Sequence, residues 1–222
     1  DIKIDQDNNY YFLARATNGN TQIDGNPIPT YNVTNRPDIV IFSTTCDGTF
    51  RWSQTIGGYE YDYVYNIELD NNGGVIALVR VHNSGRMDGT RLMHFSETET
   101  QIPNPVWNGV DDITYHEAYK KGFLLRYNSA NGALVWRKDI QTSNPASLTS
   151  TVIPTQIQID SNGTIHSIIR LLAGTHLNGT VTVAEGEIKF YLAKFNALTG
   201  DLAASAVELP IVGEMGEQTS NF

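Results

Sequence analysis

Apolar and polar residues alternate along this chain in short runs, and Asn, Asp and Gly separate the runs. A two-residue period marks a half-buried strand, and short apolar runs bounded by turn formers read the same way. No segment sustains the 3.6-residue apolar period of a helix. An all-β chain with almost no helix is therefore expected.

The runs also repeat. Set on Asp5, Asp70 and Asp160 without gaps, IKIDQDNNYYFLAR, IELDNNGGVIALVR and IQIDSNGTIHSIIR superpose. Each has aliphatic residues three and one positions before the Asp, a turn-forming cluster after it, an apolar run, and then an arginine: Arg15, Arg80 or Arg170. A second element follows each copy: IFSTTCDGTFRW, LLRYNSANGALVW and YLAKFNALTGDLAA. In the first two a tryptophan stands four residues past the turn glycine, Gly48 to Trp52 and Gly132 to Trp136, whereas Ala204 follows Gly200 in the third.

Each unit thus reads strand, tight turn, strand, connector, strand, tight turn, strand. The units are placed at 1–56, 64–140 and 153–208, with a polar tail at 209–222, all in a single segment. The second strand of each unit (Tyr10 to Leu13, Val75 to Val79, Ile165 to Leu172) reads as apolar on both faces, which requires a sheet covered on both sides. Four-stranded antiparallel sheets stacked face to face meet that requirement. The expected fold is β-propeller-like, with about three four-stranded blades.

The stretch from Arg36 to Val81, RPDIVIFSTTCDGTFRWSQTIGGYEYDYVYNIELDNNGGVIALVRV, resembles the bacterial seven-bladed β-propeller repeat family. The resemblance is carried by Gly48, Trp52, the pair Gly57-Gly58, Asp62, Ile67 and Asp70. The second unit keeps Gly132, Trp136 and then Asp160, but has QTSNPASLTSTVIPT in place of the Gly-Gly connector, and the third unit diverges most. The resemblance implies a scaffold within large secreted or cell-surface bacterial proteins, alongside adhesive or other binding modules, and it names no catalytic residue. Propellers have about 4 to 8 blades, so three do not close a ring. The expected partner is the rest of a longer chain, or another subunit, that completes the propeller.

Charge and composition narrow the function classes. A net charge of −9 opposes binding to nucleic acid, whose phosphates demand a basic surface. No apolar run approaches the roughly 20 residues of a membrane helix, so no membrane insertion is expected. The lone cysteine, Cys46, allows no internal disulfide and reads as a buried, inert thiol.

Candidate chemistry lies in the turns and connectors. Asp5-x-Asp7-x-Asn9 and Asp70-x-Asn72-x-Gly74 place oxygens at alternate positions as a calcium loop does, but Ala16, Val81 and Leu171 occupy the twelfth position, where such a loop needs an acid. The favoured reading is turn chemistry, with Asp capping and Asn-Gly supplying the left-handed backbone of a type I′ hairpin. Neither a metal nor a cofactor is expected, and the five histidines show no zinc spacing or nucleophile triad, so no catalytic residue is assigned. Trp52 and Trp136 are expected to pack between adjacent blades.

Long connectors, about 16–37, 81–120 and 173–187, are where function is expected. The largest contains ETETQIPNPVWNGVDDITYHEAY, with Trp107, Tyr115 and Tyr119 beside Asp111 and Asp112. These five residues, with Arg15, Arg80 and Arg170 as an arc of positive charge, are the candidate ligand-binding residues. The function expected is a non-enzymatic scaffold or binding module, secreted or at the cell surface, that holds a glycan or a surface protein through its loop face. The alternatives are a glycan-active enzyme with an acid pair across a central pocket, and a structural subunit of a large surface or secretion assembly.

Overall fold

The computed structural model describes residues 1–17, 20–31, 36–58, 61–82, 92–101, 120–140 and 152–212. Among them there is no helix. The first sheet begins with β1 (Ile2–Ile4) and β2 (Tyr10–Ala16) and, after a small ribbon of β3 (Gln22–Ile23) and β4 (Asn26–Pro27), continues with β5 (Asp38–Thr44) and β6 (Phe50–Ile56). The second has β7 (Tyr63–Leu69) and β8 (Gly74–His82), a ribbon of β9 (Met93–His94) and β10 (Thr100–Gln101), then β11 (Lys120–Asn128) and β12 (Leu134–Asp139). The third is β13 (Val152–Ile159), β14 (Thr164–His176), β15 (Val181–Asn196) and β16 (Leu202–Leu209). Each sheet is an antiparallel four-stranded meander, so the all-β, propeller-like class read from the sequence is the one observed.

The core lies between the sheets. Tyr11, Leu13, Ile39 and Ile41 of the first sheet pack against Ile67, Val75, Ala77 and Val79 of the second. The opposite face of the second sheet, through Ile76, Leu78 and Leu124, packs against Ile157, Ile165 and Ile169 of the third. Each such aliphatic side chain taken out of water stabilises by about 1.5–3 kcal/mol.

One expectation needs correction. Only β8 is buried at every position; β2 and β14 alternate buried and half-buried residues. The reason is position in the stack, because the middle sheet has a neighbour on each face and the other two have one.

Two further readings change. The stretch 173–187, expected as a long connector, is mostly ladder: β14 and β15 stay paired through Gly174↔Val183, Thr175↔Thr182 and His176↔Val181, and only residues 177–180 turn. Cys46 is exposed rather than buried, because it stands in the hairpin turn before Gly48.

Candidate functional site

The Asp turns are structural. Asp5 Oδ1 accepts from the backbone N–H of Asp7 at 2.9 Å and of Asn9 at 2.8 Å. Asp70 Oδ1 accepts from Asn72 and Gly74, both at 2.8 Å, and Asp160 Oδ1 from Asn162 at 2.9 Å and Thr164 at 3.0 Å. The second oxygen of each is also engaged: by Tyr11 Oη at 2.7 Å, by Arg126 Nε at 2.7 Å, and by His166 Nε2 at 3.0 Å. Oxygens held this way are oriented toward the hairpin itself.

The turns are not type I′, which needs two consecutive residues at positive φ. The first and third have one, Asn8 at 60° and Gly163 at 75°, following a bond from that residue's N–H to the Asp carbonyl. This is the three-residue loop in which a type I turn leads into a left-handed residue. In the second, Asn71 at 56° and Gly73 at 75° flank Asn72.

Trp52 and Trp136 join adjacent sheets, as expected. Trp52 Nε1 donates to the Ser129 carbonyl at 2.9 Å, and its ring covers Gly132, where an added Cβ would lie 2.6 Å from the indole. Trp136 repeats the arrangement one sheet on, donating to the Ala197 carbonyl at 3.3 Å and covering Gly200. Gly132 and Gly200 are thus seats for the preceding sheet's indole.

At the opposite end of the strands, a clasp ties the connectors down. Asp62 is fully buried; its carboxylate accepts from His82 N–H at 2.8 Å and Gly58 N–H at 3.1 Å. Asp38, also buried, accepts from Tyr31 N–H at 2.6 Å. Both acids crowd Gly57, on which a Cβ would sit 2.9 Å from Asp38 Cγ and 3.0 Å from Asp62 Oδ2. A Cβ on Gly58 would meet the His82 carbonyl carbon at 3.1 Å. The Gly-Gly pair is therefore required by close approach. Burial pushes the Asp62 carboxyl well above the usual carboxylate range, and the charge of Asp38 adds to this, against its backbone hydrogen bonds and Arg15.

Two of the candidate arginines meet here. Arg15 and the buried Arg80 lie over the Tyr63 ring, each 5.6 Å from its centroid. Arg170 occupies the equivalent position of β14, half-buried, opposite Phe190 of β15. Trp107, Asp111, Asp112, Tyr115 and Tyr119 lie outside the described residues.

The described part of the same connector builds a cleft. The β9–β10 ribbon pairs with the end of β6 through reciprocal bonds between Gly57 and His94, at 3.0 and 2.8 Å. The His94 ring stacks on Tyr31 at 3.7 Å, and Phe95 enters the core edge-on to Phe123 at 4.7 Å. Between this ribbon and the second sheet's turn lies a cavity of about 380 Å³, lined by Gln54, Ser96, Glu97, Thr98, Glu99 and Asn131 over Ala133 and Leu134. Ser96 Oγ holds the ribbon's bend by accepting from Glu99 N–H at 3.0 Å, and Arg137 approaches Glu99 at 3.4 Å. The lining offers carboxylates, hydroxyls and amides over a small apolar floor, a set suited to a neutral ligand rich in hydroxyls.

No family model matches the chain, and no curated protein matches it. Among solved structures it is similar to the crystal structure of BamB from Moraxella catarrhalis, at 12% sequence identity and a TM-score of 0.17. That match spans 75% of this chain and 59% of the other. No family is assigned on these matches.

Sequence reasoning placed function in the connector but missed the cleft. Its available signal was Ser96-x-Thr98-Glu99, a hydroxyl-capped bend between strand-forming residues.

Proposed function

We propose that this chain is a non-enzymatic β-propeller scaffold of a secreted or cell-surface bacterial protein, and that it binds a neutral glycan at the connector ribbon. The observation that carries the reading is the cleft of about 380 Å³ under β9–β10, where Glu97 and Glu99 stand exposed beside the hydroxyls of Ser96 and Thr98. Paired carboxylates accept hydrogen bonds from sugar hydroxyls and repel anionic ligands, in keeping with the net charge of −9. The alternative of a glycan-active enzyme calls for an acid pair facing each other across a central pocket. Glu97 and Glu99 instead stand two residues apart on one exposed bend, and Asp38 and Asp62 are buried and bonded to backbone N–H groups, which supports binding over catalysis.

The reading is tested by screening the chain on an array of neutral and acidic glycans and titrating the hits by calorimetry. Neutral glycans are expected to bind, with affinity falling about tenfold or more in the Glu97→Gln/Glu99→Gln variant, the loss of roughly one charge-assisted hydrogen bond. Binding unchanged in that variant would remove the cleft from consideration.

A further inference from the structure

The two joints of this stack define what a covered sheet face looks like, and the first sheet carries the same features with cover only at one end, where Ile28 of its own connector packs on Ala16 and Val40. Ile67 and Ile157, at equivalent places in β7 and β13, are 0% and 1% exposed beneath the preceding sheet, whereas Ile2 in β1 is 56% exposed. Beside Ile2, on the same face, Phe12 pairs across the sheet with Phe42, their rings stacked at 4.6 Å, and Tyr10 extends the ladder at 6.2 Å from Phe12. The equivalents of Tyr10 and Phe12 in the middle sheet, Val75 and Ala77, are fully buried.

The glycine seat is repeated too. Gly132 and Gly200 each lie under an indole from the preceding sheet, while Gly48, at φ +88°, has nothing within 4 Å of where a Cβ would be. The other end of the stack is different. The outward positions of β14 and β15 mix His166, Arg170 and Lys194 with Ile168, Leu172 and Ile188, but Ala204, exposed, stands where a tryptophan would.

From this continuity we infer that the outer face of the first sheet is a docking surface for a further four-stranded antiparallel sheet of the same repeat, one that presents a tryptophan to Gly48. The inference rests on the reading of a propeller completed by a partner, and it specifies the contact. The occupant's indole lies on Gly48, its N–H donated to a carbonyl of the 45–48 turn, and its aliphatic side chains cover Ile2, Phe12 and Phe42. The chain's own third sheet lacks that indole, so a second copy does not supply the occupant. Addition through an indole seat is therefore directional: the first sheet offers an open seat at Gly48, and the third has Ala204 where the donor tryptophan would stand.

The test gives the third sheet the missing side chain. In Ala204→Trp the full chain becomes its own tryptophan-bearing probe, and sedimentation velocity reads its assembly. The variant is expected to assemble with rising concentration where the wild-type chain sediments as one species. Adding Gly48→Asn, which fills the seat with a residue that tolerates positive φ, is expected to weaken assembly at least tenfold. Both positions are exposed, and an unchanged far-ultraviolet circular dichroism spectrum verifies the fold of each variant. No assembly by Ala204→Trp, or assembly that Gly48→Asn leaves intact, overturns the docking site. Tight pairing of the wild-type chain would identify the occupant as a second copy and overturn it as well. Glu97 and Glu99 are on the β9–β10 ribbon, so the glycan titration fails or succeeds separately.

Discussion

His176 closes β14 with its ring fully buried and its Nε2 2.7 Å from the Leu172 carbonyl, a contact that requires the proton on that nitrogen. Burial holds its pKa below the usual histidine value, against the raising effect of that carbonyl. The unfolded chain, with a value near 6.5, therefore binds more protons than the native one as the pH drops. Stability is fully present above about pH 6.5 and is lost as the pH falls through the folded value. Thermal unfolding between about pH 7.5 and about pH 5.5 is expected to show a falling midpoint, with a shallower slope in His176→Gln. His94, whose pKa burial also lowers, adds to the slope, and Asp62, whose carboxyl burial raises, opposes it. Equal slopes in the two proteins would count against this role for His176.

Among the strands and turns, the Asp70 hairpin does more than its two relatives. Besides capping its own turn, Asp70 pairs with Arg126 of β11, and both side chains are at least nine-tenths buried. Asp70→Ala strands a buried guanidinium and is expected to cost about 3–5 kcal/mol, read as a lower urea midpoint at an unchanged m-value. A loss below about 1 kcal/mol, the range of exposed pairs, would show that Arg126 finds another partner. The three Asp turns and the Gly-to-Trp spacing were legible in the sequence because hairpin chemistry is local: an acid, a left-handed residue and a period of two lie within a few positions of one another. The seating of β9–β10 was not, since it depends on Gly57 meeting His94 across the fold. The β3–β4 ribbon had a local signal that passed unread, Asp24-Gly25, with φ of 49° and 73°, where a two-residue type I′ turn does occur. Reading β2 and β14 as doubly apolar failed for a different reason: a strand's own residues do not state whether its sheet is at the middle or the end of a stack.

At the scale of the whole molecule, stability grades outward from the second sheet. Its strands β8 and β11 are held between two cores, while β1 and β16 are edge strands with exposed side chains at Ile2 and Val207. Native-state hydrogen exchange is expected to be slowest in β8 and β11 and fastest in β1 and β16, as local opening follows buried contact. Uniform exchange across the three sheets would mean that they open as one unit. The indole seats also carry an optical consequence. Trp52 belongs to the first joint and Trp136 to the second, each with its N–H on a carbonyl of the next sheet. With Trp107 and one of these replaced by Phe, the emission maximum of the remaining indole follows the wetting of a single joint, so the molecule contains a separate fluorophore for each of its two seams.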